Sequence, residues 1–110
     1  MIKAIGVDIV DVGRIERAMR NPLFLKRILT PKERMQGDSP TYVAGRWAGK
    51  EAIAKAVGTH LTWQQVEILF DSKRGLVATV NGLSSNGRVH VSISHEKSMA
   101  VGLAVYEVVE

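Results

Sequence analysis

A chain of 110 residues, 45% hydrophobic and 24% charged, suits a single domain spanning 1–110 with one modest core. It has no cysteine, which excludes a disulfide scaffold and any thiolate metal site. It has no apolar run of about 18 residues and no signal-peptide pattern after Met1, so no membrane partner and a cytoplasmic address are expected. The net charge of +4 is uneven, with 11 Lys/Arg against 6 Asp/Glu in residues 1–60 and 4 against 5 in residues 61–110. The first half should therefore attract an anionic partner, unless it is only a solvated basic surface.

Residues 2–10 read as a strand, with Ile5, Val7 and Ile9 on one side and Ala4, Gly6, Asp8 and Val10 on the other. Asp8, flanked by Val7 and Ile9, is expected to be half buried, and Gly6 leaves room beside it. Asp11 falls in the following turn and suits a helix N-cap. Residues 13–20 read as a helix in which Arg14, Arg17 and Arg20 share roughly one face. Asn21-Pro22 breaks it, and a short segment over 23–29 adds Lys26 and Arg27 beside an exposed-looking Phe24. Thr30-Pro31-Lys32-Glu33 is a helix start, with Thr30 as cap, Pro31 first and Glu33 completing a capping box.

A long helix over 43–58 follows the turn at 37–40. At about 100° per residue, Val43, Trp47, Ala54 and Val57 form an apolar stripe. Ala44, Gly45, Ala48, Gly49, Ala52 and Ala56 form a second face made only of small residues. A surface helix has one polar face, and this one has almost none. Burial on two sides is expected, with something close against its backbone. Arg46, Lys50, Glu51 and Lys55 then need partners, from a cleft or a subunit interface. Gly58 stops the helix.

Alternation predicts strands over 65–71, 76–80 and 89–94, and a continuous β-branched run predicts a central strand over 99–109. Residues 71–75 close a hairpin, and 81–88 are turn chemistry throughout. Strands segregated from helices give an α+β fold, a mainly antiparallel sheet packed against the long helix and the shorter N-terminal ones.

The candidate chemistry lies in Asp8, Arg46, Lys50, Glu51, Lys55, Gly58, Ser94 and His95. Asp8 and Glu51 come from different elements; converging, they would hold a hard cation, Mg²⁺, with waters and phosphate oxygens completing its shell. Lys55, four residues after Glu51, either pairs with it or faces a reacting phosphate. Gly58-Thr59 offers backbone room for a phosphate, and His95 closes a strand.

Four segments occur in this order: Gly6-Val7-Asp8-Ile9-Val10; Arg27-Ile28-Leu29-Thr30 with Glu33; Gly45-Arg46-Trp47-Ala48-Gly49-Lys50-Glu51-Ala52 with Lys55-Ala56-Val57-Gly58-Thr59; and Ser92-Ile93-Ser94-His95. Together they resemble the holo-[acyl-carrier-protein] synthase family, the small 4′-phosphopantetheinyl transferases, over nearly the whole chain. The resemblance implies an α+β homotrimer with active sites between subunits. It implies transfer of the phosphopantetheine arm of coenzyme A to a serine of apo acyl carrier protein, releasing adenosine 3′,5′-bisphosphate. The carrier stays open between fatty-acid, polyketide and other systems. Carried over by position, Asp8 and Glu51 are the Mg²⁺ ligands, and Lys55 is the cation beside the transferring phosphate. Arg46 and His95, with Ser94, meet coenzyme A, and Gly58 belongs to the loop over its phosphates. Arg14, Arg17, Arg20, Phe24 and Arg27 form the carrier-protein dock.

The chain departs from the family pattern at His60, where a glycine is usual, and at Leu76, where a proline is usual near the nucleotide pocket. It is also short over 81–88, where the family commonly has a helix. A nucleic-acid-binding module is a rival reading, permitted by the basic half. However, the chain holds only 2 Trp, 2 Tyr and 2 Phe and lacks the paired strand aromatics of a stacking platform, so no nucleic-acid partner is expected. A non-catalytic trimeric structural domain is the other rival, and it gives Asp8 and Glu51 no task.

Overall fold

The computed structural model describes residues 1–110. The order is β1 (Ile2–Asp11), α1 (Val12–Ala18), α2 (Phe24–Ile28), α3 (Pro31–Gln36), α4 (Pro40–Val57), a 3-10 turn (Trp63–Gln65), β2 (Val66–Asp71), β3 (Gly75–Val80), β4 (Gly87–His95) and β5 (Met99–Val108). This is a mixed α+β architecture in which every strand pairing is antiparallel.

The helix starts follow local chemistry. Asp11 Oδ2 accepts from the Arg14 N–H at 3.1 Å. Thr30 and Glu33 make the reciprocal capping box. α4 begins earlier than the apolar pattern predicts, because Ser39 Oγ accepts from the Tyr42 N–H and Pro40 takes the first turn. It ends at Gly58, whose φ of +79° is left-handed.

The strands form two sheets, β1-β5-β4 and the β2-β3 hairpin, which corrects the expectation of one. β5 is central to the first sheet. β3 and β4 face each other without pairing, across a cleft of about 650 Å³ lined by Leu76, Val80, Leu83, Val89 and Val91 among others.

The small-residue face of α4 lies against the three-stranded sheet. A methyl group added at Gly6 would land on the Ala52 carbonyl oxygen, and one at Gly102 on that of Ala48. Ile93 fills the space over Gly45 and Gly49. One core cluster joins Val10, Val12, Ile15, Ile28, Leu29 and Val43 to Ala44, Ala48 and Ala100. The other joins Ala52, Ile53 and Ala56 to Val66, Ile68 and Ala104. Each buried Val, Ile or Leu in them contributes about 1.5–3 kcal/mol.

The opposite face of that sheet has no such cover. Ile5, Val7, Ile9 and Leu103 are 67%, 55%, 61% and 44% exposed. Ile5 pairs with Val105, Val7 with Leu103 and Ile9 with Val101, so the exposed side chains form one apolar patch.

Candidate functional site

Asp8 lies on the inner face of β1, in register with Gly102, whose Cα abuts Ala48 and Gly49 of α4. Two residues earlier, Gly6 abuts Ala52 and Ala56. Asp8 therefore sits at the level of α4 that carries Glu51. Lys55 follows Glu51 by one helical turn, and its Nζ donates to Asp8 Oδ1 at 3.2 Å and to the Val7 carbonyl oxygen at 3.1 Å. Of the two partners left open for Lys55, Glu51 and a phosphate, it does not take Glu51. Gly6 seats β1 so closely on the helix that Asp8 comes within reach. The Asp8 side chain is 17% exposed and that of Lys55 55%. Glu51 is half buried and belongs to none of the ion pairs.

This donor set suits a hard cation. No group of three or more His, Asp or Glu side chains gathers anywhere in the chain. Mg²⁺ needs only one or two carboxylates and keeps its waters. Asp8 already rests against a positive charge, the Lys55 ammonium.

Arg46 points elsewhere. It precedes Lys55 by nine residues, about 180° around the helix at 100° each. Its Nε donates to the Ile68 carbonyl oxygen at 3.0 Å, and its guanidinium lies 4.3 Å from the centre of the Tyr42 ring. It is 7% exposed. His95 ends β4 in register with Ala100 and is exposed, and Ser94 pairs with Val101 on the outer face. β4 is separated from β1 by β5, roughly 10 Å of sheet. Gly58 is exposed at the end of α4, with nothing near the position of a Cβ. One chain thus brings Asp8, Glu51 and Lys55 to one flank of α4 and leaves Arg46 on the other.

Lys50 finds its partner inside the chain, which corrects the expectation of a cleft or interface. Its Nζ donates to Glu33 Oε1 at 2.7 Å, the Ile28 carbonyl at 2.8 Å and the Trp63 carbonyl at 2.9 Å. All three of its protons are used. Glu33 Oε1 also accepts from the Thr30 N–H, and its Oε2 accepts from the Ile68 N–H at 2.7 Å. Thr30 Oγ1 donates to Glu67 Oε2. Burial holds the Lys50 ammonium below its ordinary range, against the opposing pull of Glu33. Burial likewise raises the Tyr42 phenol, whose hydroxyl donates to the Glu33 carbonyl at 2.7 Å. The signal for this network was a charged residue in a largely apolar helix together with a capping-box glutamate, though nothing in the sequence joined the two.

The basic face sits beside the Glu51 flank. The Arg14 guanidinium lies 5.5 Å from the Trp47 ring, four residues before Glu51. Trp47 packs on Trp63 at 4.5 Å and stacks on Phe24 at 5.9 Å. Phe24 is therefore half buried, a correction to its exposed look. Arg17 lies 4.0 Å from Asp11, while Arg20 and Arg27 project into solvent.

A family model described as the 4′-phosphopantetheinyl transferase superfamily matches residues 4–104. The holo-[acyl-carrier-protein] synthase of an Exiguobacterium species is 43% identical, with 97% of this chain and 93% of that protein covered. That of Chlorobaculum tepidum is 41% identical, covering 94% and 97%. Among solved structures, a holo-(acyl-carrier-protein) synthase from Bacillus anthracis in complex with CoA (3′,5′-ADP) superposes with a TM-score of 0.86 at 36% identity, covering 99% of both chains. The Helicobacter pylori holo-[acyl-carrier-protein] synthase in complex with coenzyme A gives a TM-score of 0.85 at 30% identity, covering 94% and 99%.

Proposed function

Since the chain belongs to the 4′-phosphopantetheinyl transferase superfamily, we propose how its own residues carry out the family's reaction. The chain acts as a holo-[acyl-carrier-protein] synthase, moving the 4′-phosphopantetheine arm of coenzyme A to a serine of apo acyl carrier protein. The serine oxygen forms a bond to the phosphorus of the arm and gives up its proton, and the bond to the adenosine 3′,5′-bisphosphate leaving group breaks.

Asp8 and Glu51 would hold Mg²⁺. When bound, the ion supplies charge neutralisation at the pyrophosphate as the bond between its two phosphates breaks. Lys55, long and half exposed, turns its ammonium to the transferring phosphate. Arg46, His95 and Ser94 receive the nucleotide end of coenzyme A, and Gly58 leaves the phosphates room to approach the main chain. Arg14, Arg17, Arg20 and Arg27, around the Phe24–Trp47 stack, attract and orient the acidic carrier.

The active assembly is a homotrimer with its sites between subunits. Two features support it: the exposed patch of Ile5, Val7, Ile9 and Leu103, and the division of the site residues between the two flanks of α4. A neighbouring copy would bring its Arg46 and His95 to the Asp8 flank of the first.

The observation that carries the reading is the placement of Asp8, from β1, at the turn of α4 that bears Glu51, with Lys55 on Asp8. The test incubates the chain with coenzyme A, Mg²⁺ and apo carrier protein. The carrier gains the mass of one phosphopantetheine arm, and the gain disappears with a chelator. A gain that survives full chelation refutes the metal assignment.

A further inference from the structure

Lys55 and Asp8 are two candidate site residues whose charges engage each other. The Lys55 ammonium touches two oxygens, a half-sheltered carboxylate and a main-chain carbonyl. Those are the donors a hard divalent ion seeks. A divalent ion on the Asp8 carboxylate would lie close to the ammonium already on Oδ1, and the repulsion between like charges at that range favours one occupant over both. We propose that Lys55 is a resident counterion of Asp8, displaced when a divalent cation binds and thereby released toward the anionic substrate. This rests on Asp8 being a metal ligand.

The geometry permits the exchange. Lys55 springs from the last turn of α4, its side chain is 55% exposed, and four methylenes let the ammonium swing. Charge gives the exchange a purpose. Without the metal, one ammonium against two carboxylates keeps Asp8 and Glu51 from standing as an uncompensated acidic pair. With the metal, the same site turns net positive, the sign a pyrophosphate needs. The ammonium and the metal compete for Asp8, whereas an anionic substrate draws the ammonium away. Metal and coenzyme A therefore raise each other's affinity.

The test is a Mn²⁺ titration followed by electron paramagnetic resonance, without coenzyme A, on the wild type and three variants. Asp8→Asn loses binding. Lys55→Met binds Mn²⁺ about tenfold more tightly than wild type, within the usual range of a coupling. Lys73→Met, which removes a positive charge from the distant β2–β3 turn, leaves binding unchanged. On the wild type, ¹⁵N NMR of the lysine ammonium groups shows a Lys55 signal slowed in exchange by its two acceptors. Diamagnetic Mg²⁺ abolishes that protection. If Asp8→Asn weakens binding but Lys55→Met does not tighten it, or if the Lys55 signal ignores Mg²⁺, the exchange is refuted while the metal site stands. If Asp8→Asn binds as wild type does, the metal assignment itself fails, and the exchange with it.

Discussion

Helix α4 carries two lysines five residues apart, each paired with an acid from another element, and the two pairs are built on opposite plans. Lys50 and Glu33 meet at 2.7 Å with side chains 2% and 0% exposed. Every proton of the ammonium has an acceptor, and Glu33 also receives two backbone N–H groups. Lys55 and Asp8 meet at 3.2 Å with side chains 55% and 17% exposed, and the ammonium has two acceptors. A buried, fully bonded pair costs several kcal/mol to break. A partly exposed one costs about 1 kcal/mol or less. The first fastens α2, α3 and the β2 hairpin to α4. The second can let go, as the role proposed for Lys55 requires.

Substitutions can break this contrast. The largest expected effect is on the open flank. Asp8→Ala and Glu51→Ala each reduce transfer by about 10⁴-fold, roughly 5 kcal/mol of barrier, while circular dichroism reports an intact fold. Near-normal turnover in either would strip that flank of its chemical role. On the closed flank the loss appears in stability. Glu33→Ala strands the Lys50 ammonium and two N–H groups, and urea denaturation should show a loss of about 3–5 kcal/mol. A loss below about 1 kcal/mol would mean the two pairs differ in exposure only.

A smaller effect separates docking from chemistry. Arg14→Glu raises the KM for the carrier protein by about tenfold, near 1.4 kcal/mol, and changes that for coenzyme A far less. Equal changes in both would contradict the docking role. The mildest effect belongs to a third pair, His90 and Glu107, 2.9 Å apart on the sheet. The hydrogen bond from His90 holds the Glu107 carboxyl below its ordinary 4.5. A depressed carboxyl contributes stability above its unfolded value, and that contribution is lost as pH falls through the lower folded one. Thermal melts of His90→Gln should therefore decline less on going below pH 4.5 than those of the wild type.

Much of this was legible beforehand because it is local. Strict alternation marked β1 and β4, Thr30 and Asp11 announced helix starts, and the stripe from Ala44 to Ala56 signalled close approach to the backbone of α4. Pairings across the chain were not legible. Lys50 and Glu33 are 17 residues apart, and Lys55 and Asp8 are 47 apart, so only the folded seating of β1 and α3 chooses the partners. The separation of β3 from β4 escaped for the same reason, since alternation gives a strand its faces but not its neighbour. Phe24 looked exposed beside Lys26 and Arg27 because the Trp47 ring that covers it lies far along the chain. The spacing of Arg46 and Lys55 did carry a warning. Nine helical positions turn two side chains back to back.

Where Gly6 meets the Ala52 carbonyl and Gly102 that of Ala48, strand and helix touch main chain to main chain. Such a joint has no rotamers to sample. The gap between Asp8 and the α4 turn that carries Glu51 is therefore inherited from peptide geometry, and drift among the aliphatic residues of the interior leaves it alone. A single methyl group at either glycine would act as a shim, prising the jaws of the site apart while most of the molecule stayed as it was.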